Sequence, residues 1–212
     1  MRFTDLTDRF RSIGIIPVIA LEHAEDAEPL ADALCGGGLP AAEVTFRTNA
    51  AAEVIRRMRN RRPEMLIGAG TILSPAQVDL ALDSGASFLV SPGLNPRTAE
   101  YCLRKDAPYC PGVATASEIE LALSFGLTAV KFFPAEPMGG LATIRALAAP
   151  YQTVRFMPTG GVTPERAAQY LRWERIFAVG GSWITPADLI LAGRFDEIRR
   201  RAAEAAALVE TA

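Results

Sequence analysis

Residues 41–47 read AAEVTFR, and their alternation of polar and apolar side chains is the clearest indication of the fold. In a β-strand successive side chains point to opposite faces, so Glu43, Thr45 and Arg47 share one face and apolar side chains occupy the other. Such a strand fits a barrel of parallel strands, because the helices cover the outside and the polar face points inward. A glutamate buried in that interior requires a partner or a chemical role.

Seven other β-rich runs alternate with helical patterns, which makes eight strands beginning near Ile15, Ala41, Met65, Phe88, Tyr109, Thr128, Val154 and Ile176. Their spacing of roughly 20 to 26 residues suits a strand, a loop and a helix, and it predicts a single α/β domain over 1–212, a (β/α)8 TIM barrel. We expect an extra N-terminal helix over 3–12 and a terminal helix from Phe195 to Val209. A doubly wound open sheet is the alternative, because it shows the same alternation.

The overall composition limits the possible partners. A formal net charge of -2 predicts no basic surface for nucleic acid. The arginine-rich run over 56–62 falls at the end of a helical pattern, where cations stabilise the helix terminus. No apolar run approaches the ~20 residues of a membrane helix, and no signal-peptide pattern opens the chain. Three cysteines without CxxC spacing indicate neither a disulfide framework nor a zinc site, so a cytoplasmic protein is expected.

His23 is the only histidine, and it lies in a polar turn segment where solvation is expected. Zinc hydrolases, metal-dependent aldolases and serine hydrolases normally place histidine at the centre of their chemistry. Those classes are therefore disfavoured, and neither a metal nor another cofactor is expected.

Only two of the 22 basic residues are lysines, Lys105 and Lys131, and Lys131 lies in the apolar run TAVKFFP of residues 128–134. Arginine keeps its proton, whereas a lysine amine flanked by aromatic and β-branched side chains can lose it and attack a carbonyl carbon. Lys131 is therefore predicted to form a Schiff base. The alternative is a lysine at a strand end that extends its ammonium group into solvent along an apolar wall.

Alternation along the sixth strand places Lys131 and Phe133 on the inner face, from which the lysine can meet Glu43 across the barrel. In that arrangement Glu43 serves as general acid and base, and Arg47 binds a substrate carboxylate. A purely structural ion pair between Glu43 and Arg47 is the alternative.

The carboxyl ends of the strands carry the turn-forming residues, and in parallel α/β folds active groups gather there. Thr71 and Pro92 end the third and fourth strands and are predicted to close the pocket, although each could be an ordinary cap or turn residue. Glycine pairs follow the seventh and eighth strands, each ahead of a helix start. Such pairs favour a phosphate site over two ordinary turns, and its predicted residues are Gly160, Gly161, Gly180, Gly181 and Ser182.

Five motifs, EVTFR, GAGT, VKFFPAE, PTGG and GGSW, occur in this order and begin at Glu43, Gly68, Val130, Pro158 and Gly180. Together they resemble the 2-keto-3-deoxy-6-phosphogluconate (KDPG) aldolase family, which also acts as 4-hydroxy-2-oxoglutarate (KHG) aldolase. The resemblance runs from about Ile15 to the C-terminal helix. It implies a class I aldolase of the Entner–Doudoroff pathway, usually a homotrimer of (β/α)8 subunits.

The resemblance also implies a role for each predicted site residue. It assigns the Schiff base to Lys131 and the general acid/base to Glu43. The related galactonate aldolase tends to carry an apolar residue at the position of Thr159, so threonine favours the gluconate substrate. The other implied roles are pyruvate-carboxylate contacts for Arg47 and Thr71, the pocket wall for Pro92 and Phe133, and phosphate binding for Gly160, Gly161, Gly180, Gly181 and Ser182.

These roles define a reaction in which Lys131 forms an imine with the C2 ketone and Glu43 moves the protons that accompany C3–C4 cleavage. Two rival functions use the same phosphosugar pocket. A phosphosugar isomerase or epimerase has no need of an imine-forming lysine, and a phosphosugar-binding protein has no need of Glu43 opposite it.

Overall fold

The computed structural model describes residues 3–210, which form an α/β fold around parallel strands. The strands are short, and most of them are buried on both faces, as expected where helices cover a parallel sheet. Their bounds are β1 Ile15–Ile19, β2 Ala41–Thr45, β3 Leu66–Gly70, β4 Leu89–Val90, β5 Tyr109–Cys110, β6 Gly112–Val113, β7 Ala129–Phe132, β8 Arg155–Pro158 and β9 Val179–Gly181.

The helices alternate with these strands as the sequence predicted. Short 3-10 helices cover Phe3–Leu6 and Ala24–Asp26. Residues 3–12, predicted to be helical, contain the first of them and the start of α1, and the terminal helix is α10. The α-helices are α1 Thr7–Ile13, α2 Ala27–Gly36, α3 Ala51–Arg61, α4 Pro75–Asp83, α5 Pro96–Arg104, α6 Ala116–Ser124, α7 Gly140–Ala148, α8 Pro164–Leu171, α9 Ala187–Leu191 and α10 Phe195–Glu210.

The strands follow one another around a curled parallel sheet. Six of them are hydrogen-bonded in the order β5-β4-β3-β2-β1-β9 and three in the order β6-β7-β8. Isolated parallel bridges join Phe156 to Ile176 and Thr159 to Gly180, between the β8 segment and the β9 segment. Neighbours in space are therefore neighbours in sequence, except where the last strand meets the first. A doubly wound sheet instead reverses its strand order at a switch point.

The fifth and eighth predicted strands differ in detail from the prediction. The fifth is interrupted at Pro111, which has no N–H for a ladder, so β5 pairs with β4 while β6 pairs with β7. The Pro111 carbonyl still accepts a hydrogen bond of 2.8 Å from the backbone N–H of Lys131. The eighth was predicted to begin near Ile176, but that residue forms only a single bridge and β9 starts at Val179.

A cluster of four phenylalanine rings packs at the amino-terminal end of the strands. The Phe10 ring, on α1, lies 4.9 Å from both the Phe3 and the Phe88 rings and 5.8 Å from the Phe177 ring, measured between centroids. All four of the contacts that involve Phe88 or Phe177 are edge-to-face, a favoured arrangement for aromatic pairs. The N-terminal helical segment thus covers one end of the sheet with apolar surface.

Capping residues fix the short loops at the opposite end. Ser74, Asn95 and Thr163 each accept a hydrogen bond from a backbone N–H in the following helix, and a proline follows each of them at the first helical position. A side-chain cap followed by proline is a favoured helix start. The loops after β3, β4 and β8 therefore end at defined residues, close to the strand ends that they follow.

The remaining sequence features lie on the surface or in the core. Within the arginine-rich run, Arg57 pairs with glutamates and both Arg61 and Arg62 pair with Asp32, whose pKa they lower, Arg61 most strongly. His23 is exposed. Among residues 3–210, no helix is long and apolar enough to span a bilayer.

Candidate functional site

A cavity of about 250 Å³ opens at the carboxyl-terminal ends of the strands. It collects side chains from β1, β2 and β7 and from the residues that follow β2, β3, β4, β7 and β8. Seven of the predicted site residues line it, together with two residues that were not predicted as site residues. The lining residues are Val18, Glu43, Thr45, Arg47, Thr71, Pro92, Lys131, Phe133 and Thr159.

Lys131 and Glu43 form an ion pair inside this cavity. The Lys131 Nζ donates a hydrogen bond of 3.0 Å to the Glu43 Oε1, and the two side chains are only 6% and 1% exposed. The lysine therefore does not extend into solvent, and that alternative is wrong. Gly70, at the end of β3, makes the pairing possible, because a Cβ there would overlap the Glu43 carboxylate.

The second oxygen of Glu43 has no partner. Glu43 Oε2 is buried and accepts no hydrogen bond within the described part of the chain. A buried ion pair generally contributes little to stability, and an unsatisfied buried oxygen has a cost. The pair is thus poorly explained as a structural device, whereas an oxygen free to accept a proton suits a general base.

Arg47 lies at the same cavity without touching Glu43. Its Nε donates a hydrogen bond of 3.1 Å to the Thr45 hydroxyl, and that hydroxyl donates to the Ile19 carbonyl at 2.9 Å. No carboxylate among residues 3–210 lies within ion-pair distance of its guanidinium, so the proposed Glu43–Arg47 structural pair is wrong. The guanidinium therefore remains available to an acidic ligand.

Two further side chains, those of Phe133 and Cys110, lie near the lysine. The Lys131 Nζ lies 5.3 Å from the centre of the Phe133 ring, within the range of a cation–π contact. Cys110, on β5, is fully buried, and burial raises the pKa of its thiol. The thiol therefore stays neutral, and Cys110 is not among the residues that line the cavity.

Thr71 and Pro92 line the cavity from the segments that follow β3 and β4. Thr71 has a φ of 60°, which is uncommon for a β-branched residue and is a form of strain found at functional sites. Pro92 follows Ser91, whose hydroxyl shares a hydrogen bond of 2.6 Å with the Tyr109 hydroxyl and donates to the Gly93 carbonyl. Thr71 is not the cap of the following helix, because Ser74 has that position. The turn at Pro92 is stabilised by the hydrogen bonds of Ser91.

The two predicted glycine pairs differ in their backbone geometry. Gly160 and Gly161 have φ values of 104° and 75°, which L side chains rarely adopt. Gly180 and Gly181 lack positive φ, and they leave room for the side chains of Thr159 and Trp183, respectively. The backbone conformation therefore requires glycine at residues 160 and 161, whereas close contacts with neighbouring side chains require it at residues 180 and 181.

The sequence missed three contributors to the site. Val18 lines the cavity from β1, Thr45 orients Arg47, and Gly70 gives Glu43 its space. Thr45 stood on the polar face of its strand and Gly70 within the GAGT motif, so both carried a signal. Val18 carried none. Within residues 3–210, no group of three or more His, Cys, Asp and Glu side chains is arranged to hold a metal ion.

Comparisons with known proteins agree with this geometry. The family model described as KDPG and KHG aldolase matches residues 6–201. The chain is 50% identical to the 2-dehydro-3-deoxy-phosphogluconate aldolase of Treponema pallidum over 186 residues, which are 88% of this chain and 89% of that one.

Two crystal structures resemble the whole fold. The 2-keto-3-deoxy-6-phosphogluconate aldolase of Zymomonas mobilis with 3-phosphoglycerate superposes with a TM-score of 0.88 at 40% identity, covering 95% of each chain. The KDPG aldolase of Legionella pneumophila, with pyruvate captured as a covalent carbinolamine intermediate, gives a TM-score of 0.89 at 36% identity, covering 93% of this chain and 96% of that one.

A buried lysine–carboxylate pair at the carboxyl end of a parallel α/β sheet is the arrangement expected of an enzyme that forms an imine with a carbonyl substrate. The sequence match, at this identity and coverage, is more specific. The chain belongs to the KDPG and KHG aldolase family.

Proposed function

We propose that this protein is a class I aldolase that reversibly cleaves 2-keto-3-deoxy-6-phosphogluconate to pyruvate and D-glyceraldehyde 3-phosphate, as in the Entner–Doudoroff pathway. Cleavage of 4-hydroxy-2-oxoglutarate to pyruvate and glyoxylate is the expected second activity. The observation that carries the proposal is the 3.0 Å contact between Lys131 and Glu43, buried at a cavity large enough for a pyruvate unit.

The first step is attack of the neutral Lys131 amine on the C2 ketone. Glu43, at hydrogen-bond distance from the Nζ, accepts the ammonium proton and returns it when the carbinolamine loses water. The imine that forms carries a positive charge, and the Phe133 ring beside the Nζ tolerates that cation.

Cleavage needs a base at the C4 hydroxyl. Glu43, directly or through one water, takes that proton, and the electrons of the C3–C4 bond flow into the imine. The aldehyde product leaves and an enamine of pyruvate remains on Lys131. Protonation at C3 by the same carboxyl group, followed by hydrolysis, releases pyruvate and the free amine.

The other cavity residues position the substrate. The unpaired guanidinium of Arg47 and the hydroxyl of Thr71 suit a carboxylate at C1, and Pro92 and Phe133 bound the flat pyruvate unit. At the other end, Gly160 and Gly161 present backbone ahead of α8, and Gly180, Gly181 and Ser182 lie beside them. These are the proposed phosphate ligands.

The wider organisation is also part of the proposal. A single domain folded as a (β/α)8 barrel, with an N-terminal helix added before the first strand, accounts for the sequential strand order and for the bridges between the segments of β8 and β9. A homotrimer is what the resemblance implies, a cytoplasmic location is expected from the cysteine usage, and neither nucleic-acid nor membrane partners are expected from the net charge and the apolar pattern. No cofactor is expected.

A 2-keto-3-deoxy-6-phosphogalactonate aldolase is the alternative substrate assignment. Thr159 supports the gluconate substrate, because its buried hydroxyl stands where the galactonate enzymes tend to carry an apolar side chain. A phosphosugar isomerase or binding protein on the same fold is disfavoured, since neither requires the buried Lys131–Glu43 pair.

Borohydride reduction in the presence of pyruvate tests the proposed function. The expected result is one stable adduct per chain, which peptide mapping assigns to Lys131, together with release of pyruvate from KDPG in a coupled assay. Comparison of initial rates on KDPG and on its C4 epimer decides between gluconate and galactonate. Absence of any adduct would exclude the class I mechanism.

A further inference from the structure

Glu136, the last residue of the VKFFPAE motif, has no part in the reaction described above. It lies behind the glycine turn that follows β8. Its Oε1 accepts a hydrogen bond of 2.6 Å from the Tyr170 hydroxyl, and its Oε2 lies 3.7 Å from the Arg166 guanidinium. Both partners belong to α8, the helix that begins directly after the glycine turn.

The Glu136 backbone and side chain both contact that turn. The backbone N–H of Glu136 donates a hydrogen bond of 3.0 Å to the Gly160 carbonyl. The side chain sits against Gly161, where an added Cβ would come within 3.1 Å of the Glu136 Cβ. Glu136 thus contacts the glycine turn through its backbone and its Cβ, while its carboxylate accepts a hydrogen bond from Tyr170 on α8.

The fold leaves a specific space for the Glu136–Tyr170 pair. Gly140 has a φ of 60°, and a Cβ there would lie 3.0 Å from the Tyr170 hydroxyl and 3.4 Å from both Glu136 carboxylate oxygens. Burial, and next the hydrogen bond to Glu136, raises the pKa of the Tyr170 phenol. The phenol therefore keeps its proton and acts as the donor.

We propose that the Tyr170–Glu136 hydrogen bond holds the Gly160–Gly161 turn in the shape that binds the substrate phosphate, which makes both side chains positioning residues. This inference rests on the proposed function. Because neither side chain lines the cavity of Lys131 and Glu43, their effect falls on the phosphate end of the substrate and spares imine formation.

Tyr170→Phe is the direct test, since it removes one hydroxyl and leaves the ring. Loss of a hydrogen bond to a charged group is expected to raise the KM for KDPG by about tenfold, with kcat changed less than about twofold. The inhibition constant of inorganic phosphate against KDPG cleavage rises by the same factor. The rate of exchange of the pyruvate methyl protons in deuterium oxide, which requires no phosphate contact, stays within about twofold of wild type.

Two further variants separate positioning from general damage. Glu136→Gln keeps an oxygen that accepts from Tyr170 and should retain a KM near that of wild type, whereas Glu136→Ala should behave as Tyr170→Phe does. Tyr101→Phe is the matched control, because the Tyr101 hydroxyl donates at the same 2.6 Å to Asp79, which also pairs with a cation, Lys105. It should change none of these constants.

The outcomes distinguish the two proposals. A wild-type enzyme that cleaves KDPG, combined with a Tyr170→Phe variant that matches Tyr101→Phe, overturns the positioning role alone. Equal weakening of KDPG turnover and pyruvate exchange also overturns it, since it indicates a disturbed fold. A wild-type protein that neither exchanges pyruvate protons nor cleaves KDPG overturns the proposed function and this inference together.

Discussion

The two ends of the parallel strands are built from opposite kinds of residue. At the amino-terminal end, the rings of Phe3 and Phe10 pack edge to face against those of Phe88 and Phe177. At the carboxyl-terminal end, a buried ion pair, a strained threonine and a positive-φ glycine turn surround an open cavity.

This difference shows that the amino-terminal end of the strands stabilises the fold, whereas the carboxyl-terminal end lowers its stability. Burial of large aromatic side chains contributes several kcal/mol each, whereas buried charges and strained backbone have costs of comparable size. The stabilising aromatic cluster lies at one end of the strands and the costly polar groups lie at the other. The stability gained at the first end offsets the cost of the unsatisfied Glu43 oxygen at the second. Substitutions at the two ends should therefore affect different measurements.

Lys131→Arg should have the largest effect, because a guanidinium retains charge and bulk but cannot form an imine. Cleavage of KDPG and trapping of pyruvate should both disappear while the circular dichroism spectrum is retained. Lys105→Arg is the control, since Lys105 forms an exposed ion pair of 2.9 Å with Asp79 and should keep full activity. Residual turnover above about one per cent in the Lys131 variant would contradict covalent catalysis.

Glu43→Gln should come next, with a loss of about 10²–10⁴ in rate, the usual contribution of a positioned acid/base. The amide preserves the shape of the carboxylate but accepts no proton. Borohydride should still trap some pyruvate on the variant, whereas the pyruvate methyl protons should no longer exchange with deuterium oxide. Exchange at the wild-type rate would show that another group transfers the proton at C3.

Phe10→Ala probes the opposite end, where stability should suffer and chemistry should not. Phe10 is completely buried against three other rings, so its removal should lower the free energy of unfolding by about 3–5 kcal/mol. Urea titration measures that loss. At a temperature where the variant remains folded, its kcat and KM should equal those of wild type, and a reduced kcat would show that the two ends are coupled.

Much of the site could be read from the sequence because its signals are local. The alternation around Glu43, the isolated lysine and the glycine turn at residues 160–161 each depend on residues within a few positions of one another. Strand periodicity then placed Lys131 and Glu43 on inner faces, and the structure joins them at 3.0 Å.

The features that could not be predicted depend on contacts between distant residues. The break at Pro111 reflects which neighbours β5 and β6 pair with, and the free guanidinium of Arg47 reflects a bond to Thr45 that periodicity alone does not distinguish from a bond to Glu43. Likewise, the need for Gly181 to make room for the Trp183 side chain appears only in three dimensions.

Gly161→Ala should have the smallest effect and the most selective one. Gly161 has a φ of 75°, and a methyl group there meets the Glu136 Cβ at 3.1 Å, so the turn must shift by a few tenths of an ångström. Gly126→Ala is the matched control, because Gly126 has a φ of 72° with no atom within 4 Å and lies in the turn before β7, at the amino-terminal end of the strands. Both variants should lose about 1 kcal/mol of stability from the strained backbone.

Only the Gly161 variant should bind the substrate differently. Its KM for KDPG should rise by about three- to tenfold, equivalent to about 1 kcal/mol, while its KM for 4-hydroxy-2-oxoglutarate, which has no phosphate, should stay at the wild-type value. Steady-state kinetics gives the KM of each variant for each of the two substrates, and these four KM values are compared with those of wild type. If the two substrates weaken equally, or if Gly126→Ala produces the same change, the turn at residues 160–161 supports the rim in general and does not recognise phosphate.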